Sequence, residues 1–398
     1  MTRNKKQLPS GVEDILPQEC YLKRNIEADL RRTFSGAGYD EVSTPSYEYY
    51  DVFSSGAGSY LQEKVIKFFD ANGAILALRP DLTIPIARMA ASKLMEDDSP
   101  KRLFYLENSF RAEEPAVGRN SEFFQAGIEL IGDASIGADA EVIAVAVEAL
   151  LASGLSDFKI EIGQVGFFKG LIAKYNLDDD LIDQIRHQID CKNEYELAQL
   201  LDGAGVDGAL KDNLIALLQL FGQADIFDKA RALTDSPVCI AAVENLFSVY
   251  RLLCGFGLAD YITIDFGILQ DLSYYTGIVF RGITEKMGFP ILTGGRYDHL
   301  LADFGKEAPA TGFALYLKRL MIALERQGKL SGFYTTDAVV TCDSASAAAA
   351  YAYVKAQRAQ GARVLFCSGL AQDALDNLKE AKQAKKAVCF IDNKKVEY

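Results

Sequence analysis

The stretch SEFFQAGIELIG, residues 121–132, decides the reading of this chain. It reads as a buried strand, in which alternate residues point to opposite faces. One face carries Phe124, Ala126, Ile128 and Leu130 and is wholly apolar. The other carries Phe123, Gln125, Gly127, Glu129 and Ile131. A glycine between two polar side chains leaves a hollow floored by backbone. Such a hollow suits a small polar ligand. It equally suits a structural glutamate paired with an arginine, and the strand alone leaves both readings open.

Working outward, RLFYLENSFRA (residues 102–112) reads as the preceding strand, joined to the first by the polar loop EEPAVGRNS. The two form an antiparallel hairpin. Arg111 lies on the face of Ser109 and Glu107, so it comes to share a face with Gln125. LRPDLT adds Arg79, Asp81 and Thr83 directly after another strand. DLSYYTG adds Tyr274 and Tyr275, expected on opposite faces of theirs. GGRYDHL adds Gly294, Gly295 and Arg296. A glycine pair lets backbone approach a ligand or makes a tight turn. Each feature has a plainer alternative: an Arg111–Glu129 ion pair, Asp81 as a loop cap, Tyr275 as a core aromatic, the glycines as a turn.

Bulk properties narrow the function classes. The chain has 398 residues, 49% of them hydrophobic, enough for two or three domains with their own cores. A formal charge of −13 argues against indiscriminate nucleic-acid binding, which needs a clustered positive field. MTRNKKQLPS lacks the apolar core of a signal peptide. VIAVAVEALLA is short and broken by Glu148, so no membrane-spanning helix is expected. Seven scattered cysteines without a C-x-x-C pair fit reduced thiols and a cytoplasmic protein. Two histidines far apart in sequence, His187 and His299, give no support for a metal site or catalytic triad.

The element pattern is α+β. Residues 20–39 read as a helix through Ile26, Leu30 and Phe34, stopped by glycines at 36 and 38. GYDEVSTPSYEYY reads as a strand whose Pro45 suits an edge or bulge. IKFFDANGAILAL reads as a hairpin turning at Asn72-Gly73. GADAEVIAVAVEALLASG reads as a helix and FKIEIG as a strand. Residues 165–257 read as a helical insertion. Strands return in DYITIDFGILQ, YYTGIVFRG and FPILTGG, and FALYLKRLMIALERQ reads as a closing helix. The tail alternates strand and helix as a βαβαβ unit with a parallel sheet. The expected domains are 1–164 and 258–330 as two parts of one antiparallel sheet flanked by helices, 165–257 as the insertion, and 335–398 as a small α/β domain.

Taken in order, LPSGVEDILP, GYDEVSTPSYE, LRPDLT, FRAEEPAVGRNSEFFQAGIE, DLSYYTGIVF, GGRYDHLL and PATGFALYLKRL resemble the histidyl-tRNA synthetase family over about residues 8–325. They correspond to the three class II aminoacyl-tRNA synthetase motifs plus two histidine-specific segments. The resemblance implies a class II synthetase-like sheet that encloses histidine. It puts the ligand's ammonium near Asp81, Thr83 and Gln125 and its imidazole between Glu129 and Tyr275, with Arg111 and Tyr274 completing the pocket. An ammonium has only donors and needs acceptors.

The chain departs from that family on the nucleotide side. The family has Arg-Gly-Leu-Asp before the two tyrosines; here Gln270-Asp271-Leu272-Ser273 stands there. Losing one preorganised donor of that kind costs on the order of 10²–10³ in rate. Glu114 replaces a second arginine, Tyr316 a glycine and Lys318 an acid, while Arg111 and Arg319 remain. The tail is short for an anticodon-binding domain, and its nine Lys/Arg against seven Asp/Glu argue no tRNA grip. This combination is similar to the synthetase family's catalytically inactive paralogues, which regulate a short-form ATP phosphoribosyltransferase in the first step of histidine biosynthesis. That resemblance implies a short-form catalytic subunit as partner and histidine as ligand. It also implies a homodimer formed through the Pro45 region within a hetero-octamer, and no cofactor, metal, tRNA or membrane. The competing readings are an active histidyl-tRNA synthetase, a tRNA-independent amino-acid-activating enzyme, and a structural adaptor without a ligand.

Overall fold

The computed structural model describes residues 5–54, 63–97, 99–112, 120–269, 274–285, 287–330, 332, 335–392 and 394–398. The expectations placed on Glu114 and on Gln270 through Ser273 lie outside the described residues. Strands run β1 (Asp40–Glu41), β2 (Tyr47–Tyr49), β3 (Lys67–Phe69), β4 (Ile75–Leu78), β5 (Lys101–Phe110), β6 (Glu122–Ile131), β7 (Lys159–Gln164), β8 (Phe221–Gly222), β9 (Ile262–Asp265), β10 (Ile278–Ile283), β11 (Leu292–Arg296) and β12 (Ala310–Tyr316). A nine-stranded sheet has the order β1-β5-β6-β12-β11-β10-β7-β9-β8. Its pairs are antiparallel except β1 with β5 and β7 with β9. The fold is α+β, a class II synthetase-like sheet flanked by helices.

The apolar face of β6 explains the flanking layer. Ala126, Ile128 and Leu130 are fully buried. Phe34, from the helix Pro17–Gly36, packs its ring 5.7 Å from Phe104 on β5 and 6.0 Å from Phe313 on β12. The helix Ile136–Ala152 also packs on β6 and β12. Its start is fixed by Ser135, whose hydroxyl accepts the Ala138 amide at 3.2 Å. Helices on one face leave the other, with Gln125 and Glu129, for a site.

Two segments differ from the sequence reading. GYDEVSTPSYEYY is two short strands in different sheets, β1 in the large one and β2 in the three-stranded sheet β2-β4-β3. The break brackets Pro45, which has no amide to give a ladder. FALYLKRLMIALERQ is not one helix. Its first four residues finish β12, and the helix spans only Leu317–Arg326. The central place of β12 between β6 and β11 outweighs local helix propensity there. The hairpin β3–β4 is as expected, with Gly73 at φ +86° and the Asp70 carboxylate accepting the amides of Asn72 and Ala74 at 2.8 Å each.

Between β7 and β9 the chain is helical apart from β8. It belongs to the same compact unit as the large sheet, residues 1–15 with 23–330. A charge network joins the two. Arg281 of β10 pairs with Glu161 of β7 at 2.6 Å and with Asp190 at 3.4 Å, and Lys192 pairs with the buried Asp265 of β9 at 2.7 Å. The helix Pro237–Gly255 is long and apolar enough to cross a bilayer by length and composition alone. Here its inner face (Val243, Leu246, Val249, Leu253) is buried, and it packs on the helices Val165–Ile172 and Ile136–Ala152.

The second unit comprises residues 16–22 and 331–398. Its sheet has the order β14 (Val364–Phe366), β13 (Ala338–Cys342), β15 (Lys386–Ile391), β16 (Lys394–Glu397). The first three are parallel, with the helices Ala347–Ala359 and Gln372–Ala381 as crossovers. The sequence reading did not include the antiparallel β16, whose KKVE carries too little apolar pattern to register as a strand.

Candidate functional site

Strands β5, β6, β11 and β12 stand side by side, so their alternating residues meet on one face. Gln125 lies opposite Glu107 on β5 and Tyr316 on β12, and Glu129 lies opposite Leu103 and Gly312. Asp81, Thr83, Arg111, Gln125, Glu129, Tyr274 and Tyr275 all line a single cavity over this face. The space open to the centre of a water molecule is about 20 Å³, room for little more than one ordered water.

Glu129 sits at one end, 1% exposed. Its Oε1 accepts the Thr83 hydroxyl at 2.8 Å and its Oε2 the Tyr297 hydroxyl at 2.5 Å. Burial pushes its pKa up to about 8, against the two hydroxyl bonds that lower it, and nearby Asp81 raises it further. The groups acting on this carboxyl are thus neutral donors and another acid, which disfavours the Arg111–Glu129 ion pair. Gly312 makes the arrangement possible, since a Cβ there would stand 1.9 Å from Oε2.

Asp81 precedes the helix Thr83–Lys93. Its Oδ1 accepts the Ile84 amide at 3.1 Å, a capping role that the sequence allowed. Its Oδ2 is buried with no hydrogen-bond partner among the described residues. Burial raises the pKa of this carboxyl, and Arg111 and the Ile84 amide oppose that. A buried carboxylate oxygen without a donor is costly. Gln125 is held by the Ser109 hydroxyl, which donates to Oε1 at 2.7 Å. A carbonyl oxygen keeps a second lone pair.

The hollow expected over Gly127 is filled. Tyr105, directly across on β5, lays its ring there, and a Cβ on Gly127 would meet the hydroxyl at 2.5 Å. That hydroxyl is also buried without a partner among the described residues. Tyr274 and Tyr275 do not point to opposite faces. They precede β10, outside the regular alternation of a strand, and both rings enter the cavity with centroids 5.0 Å apart. Gly294 and Gly295 are mid-strand in β11 rather than a turn, and Gly295 leaves the space that the Tyr275 ring occupies.

Two arginines singled out by the sequence serve the scaffold. Arg296 pairs with the buried Asp139 at 3.0 Å and with Asp298 at 3.1 Å. Arg79 pairs with Glu107 and donates to the carbonyl oxygens of Asn108 and Thr44. Tyr297 and Tyr105 were missed. The signal was present: Thr293, Gly295 and Tyr297 continue one period-two face, as do Tyr105, Glu107 and Ser109.

At the Gln125 end, Arg111 donates from Nε to the Pro80 carbonyl oxygen at 2.8 Å and lies over the Phe123 ring at 5.1 Å. Tyr316 lines the cavity together with Arg111 and Thr293, and the Arg319 guanidinium lies 4.0 Å from its ring centroid. Burial alone would raise the Tyr316 pKa, but the two guanidiniums outweigh it and hold the phenol below its ordinary value. Lys318 pairs with Glu13. Among the described residues, no cluster of three or more His, Cys, Asp or Glu could hold a metal.

Residues 11–320 match the family model described as histidyl-tRNA synthetase. The ATP phosphoribosyltransferase regulatory subunit of Ruminiclostridium cellulolyticum is 41% identical over 399 aligned positions, covering 100% of this chain and 95% of the relative. That of Acetivibrio thermocellus is 45% identical over 319, covering 80% of this chain and 76% of the relative. A crystal structure from Bacillus halodurans, described as an ATP phosphoribosyltransferase regulatory subunit/histidyl-tRNA synthetase, matches with a TM-score of 0.86 at 30% identity, covering 98% and 99% of the two chains. Histidyl-tRNA synthetase from Nostoc matches with a TM-score of 0.83 at 23% identity, over 100% and 97%, a likeness of fold alone.

Proposed function

The chain belongs to the family of ATP phosphoribosyltransferase regulatory subunits, and on that premise we propose that its cavity senses histidine for a short-form catalytic subunit of the same enzyme. The observation that carries this reading is the Asp81 Oδ2, buried at the cavity wall without a donor among the described residues. An ammonium supplies that donor, with Gln125 as a neighbouring acceptor, while Thr83 is held at the Glu129 end by its hydrogen bond to Oε1. Glu129 lies four residues from Gln125 along β6, about 13 Å by strand rise. That separation leaves room for a side chain between the two ends. Glu129, Tyr275 and Tyr297 offer an imidazole both a carboxyl and phenol hydroxyls. Because side chains nearly fill the cavity, ligand entry requires them to move. This is how occupancy is transmitted, through a coupling of about 1–3 kcal/mol between two arrangements of the assembly.

The same reading makes the chain non-catalytic. The phenol of Tyr316 stands beside Arg111 and Arg319, and Gln270 and Glu114 remove positive charge from the sequence of the activation segments. It also makes the chain a dimer within a hetero-octamer. The three-stranded sheet following Pro45 exposes Tyr47, Tyr49, Phe69 and Ile75, an apolar surface of the sort that self-association covers. Calorimetric titration of L-histidine into the complex with its catalytic subunit tests the ligand. Asp81→Asn should weaken binding at least about tenfold, because it removes the anionic partner of the ammonium. Equal affinity in variant and parent refutes the assignment.

A further inference from the structure

We propose that Tyr316 is a built-in competitor for the Arg111 guanidinium, so that the cavity opens to a ligand whose own carboxylate takes the place of the phenol. This rests on the histidine reading above and deepens it. Tyr316 is the last residue of β12 and lies opposite Gln125, at the end of the cavity where the α-amino and carboxyl groups of an amino acid belong. Arg111 is the only Lys or Arg among the described residues lining the cavity. Tyr316 lines the same cavity as Arg111, whose positive charge acts on the phenol, and the Arg319 guanidinium lies 4.0 Å from its ring centroid. A carboxylate bound in this cavity has Arg111 as its counter-charge, since the other ionisable lining groups are the carboxyls Asp81 and Glu129 and the tyrosine phenols, none of which is a cation. The free space takes little more than one water-sized group, so an amino acid enters only when lining side chains move.

The position of Tyr316 makes its departure feasible. Tyr105, Tyr275 and Tyr297 are buried, but Tyr316 is partly exposed. Its ring borders Phe123 at 5.8 Å, itself partly exposed. Tyr274 is partly buried too, but its ring is wedged between Tyr275 at 5.0 Å and Tyr297 at 5.8 Å. The phenol therefore swings toward solvent while the guanidinium passes from a neutral acceptor to an anionic one. An exchange of this type lowers apparent affinity by the fraction of molecules held closed.

The test is calorimetry of L-histidine and L-histidinamide on the parent complex and on Tyr316→Phe. Histidinamide has the same ammonium and imidazole but no anionic oxygen. The parent should bind histidinamide at least about tenfold more weakly than histidine. Tyr316→Phe, which keeps the ring and removes the oxygen, should bind histidine about three- to tenfold more tightly. Unchanged or weaker histidine binding by Tyr316→Phe overturns the proposal, as does equal binding of the two ligands by the parent. Fluorine NMR of fluorotyrosine-labelled parent protein gives a second readout. The resonance absent from Tyr316→Phe should shift when histidine is added, and a stationary resonance overturns the proposal. If the parent binds no histidine at all, the sensor reading itself fails, which is a separate result.

Discussion

Replacing Glu129 by glutamine should make this protein more stable at pH 8 and less able to hold histidine. Burial holds the Glu129 carboxyl up to about 8 in the fold, against an ordinary value of 4.5. Between those values the folded chain keeps a proton that the unfolded chain has released. Stability therefore falls as pH rises through this window and levels off above it. The window, 8 minus 4.5, is about 3.5 pH units. At about 1.4 kcal/mol per unit, the native state carries an upper bound of about 5 kcal/mol of strain above pH 8. Glutamine does not titrate, so that cost disappears. It offers one oxygen to two hydroxyls, Thr83 and Tyr297, which costs on the order of 1 kcal/mol at every pH. The variant should thus be about 1 kcal/mol less stable at pH 4.5 and about 3–4 kcal/mol more stable at pH 8. For a unit of this size that is a gain of roughly 5 °C at the higher pH. Thermal midpoints at pH 5, 6.5 and 8 measure it. A midpoint difference that stays constant across pH refutes the reasoning, because only the titration of Glu129 makes the difference change. A residue whose neutralisation stabilises the fold points to a role other than stability.

Three other outcomes follow from the geometry. Gly312→Ala places a methyl 1.9 Å from the Glu129 Oε2 and 2.4 Å from the Ile128 carbonyl oxygen; urea denaturation should show a loss of about 2–3 kcal/mol or more, and a neutral result removes the close-packing argument. Arg296→Met leaves Asp139 buried and unpaired. It should cost about 3–5 kcal/mol with little change in histidine affinity for the fraction that folds, and a selective loss of affinity contradicts the scaffold role. Purified protein given histidine and ATP should show no pyrophosphate exchange above background, and turnover in the ordinary enzyme range of about 1–10³ s⁻¹ overturns the non-catalytic reading.

The sequence by itself determined the alternation that puts Gln125 and Glu129 on one face of β6, the hairpin with β5, and seven of the residues that share the cavity, but not Tyr105 or Tyr297. Those are local facts: a strand's two-residue period follows from backbone geometry, and an ordered series of motifs carries its own spacing. The tertiary structure decided who meets whom. Tyr297 reaches Glu129 from 168 residues away and Thr83 from 46, and no local pattern sets such pairings. Tyr274 and Tyr275 turn to the same side because they stand before β10 rather than in it. Arg79 and Arg296 are drawn off to scaffold partners, because a buried guanidinium must satisfy its donors wherever acceptors lie. The closure of the cavity around Tyr105 and Tyr316 was likewise invisible in one dimension, since whether a hollow stays open depends on the volume of side chains arriving from other strands.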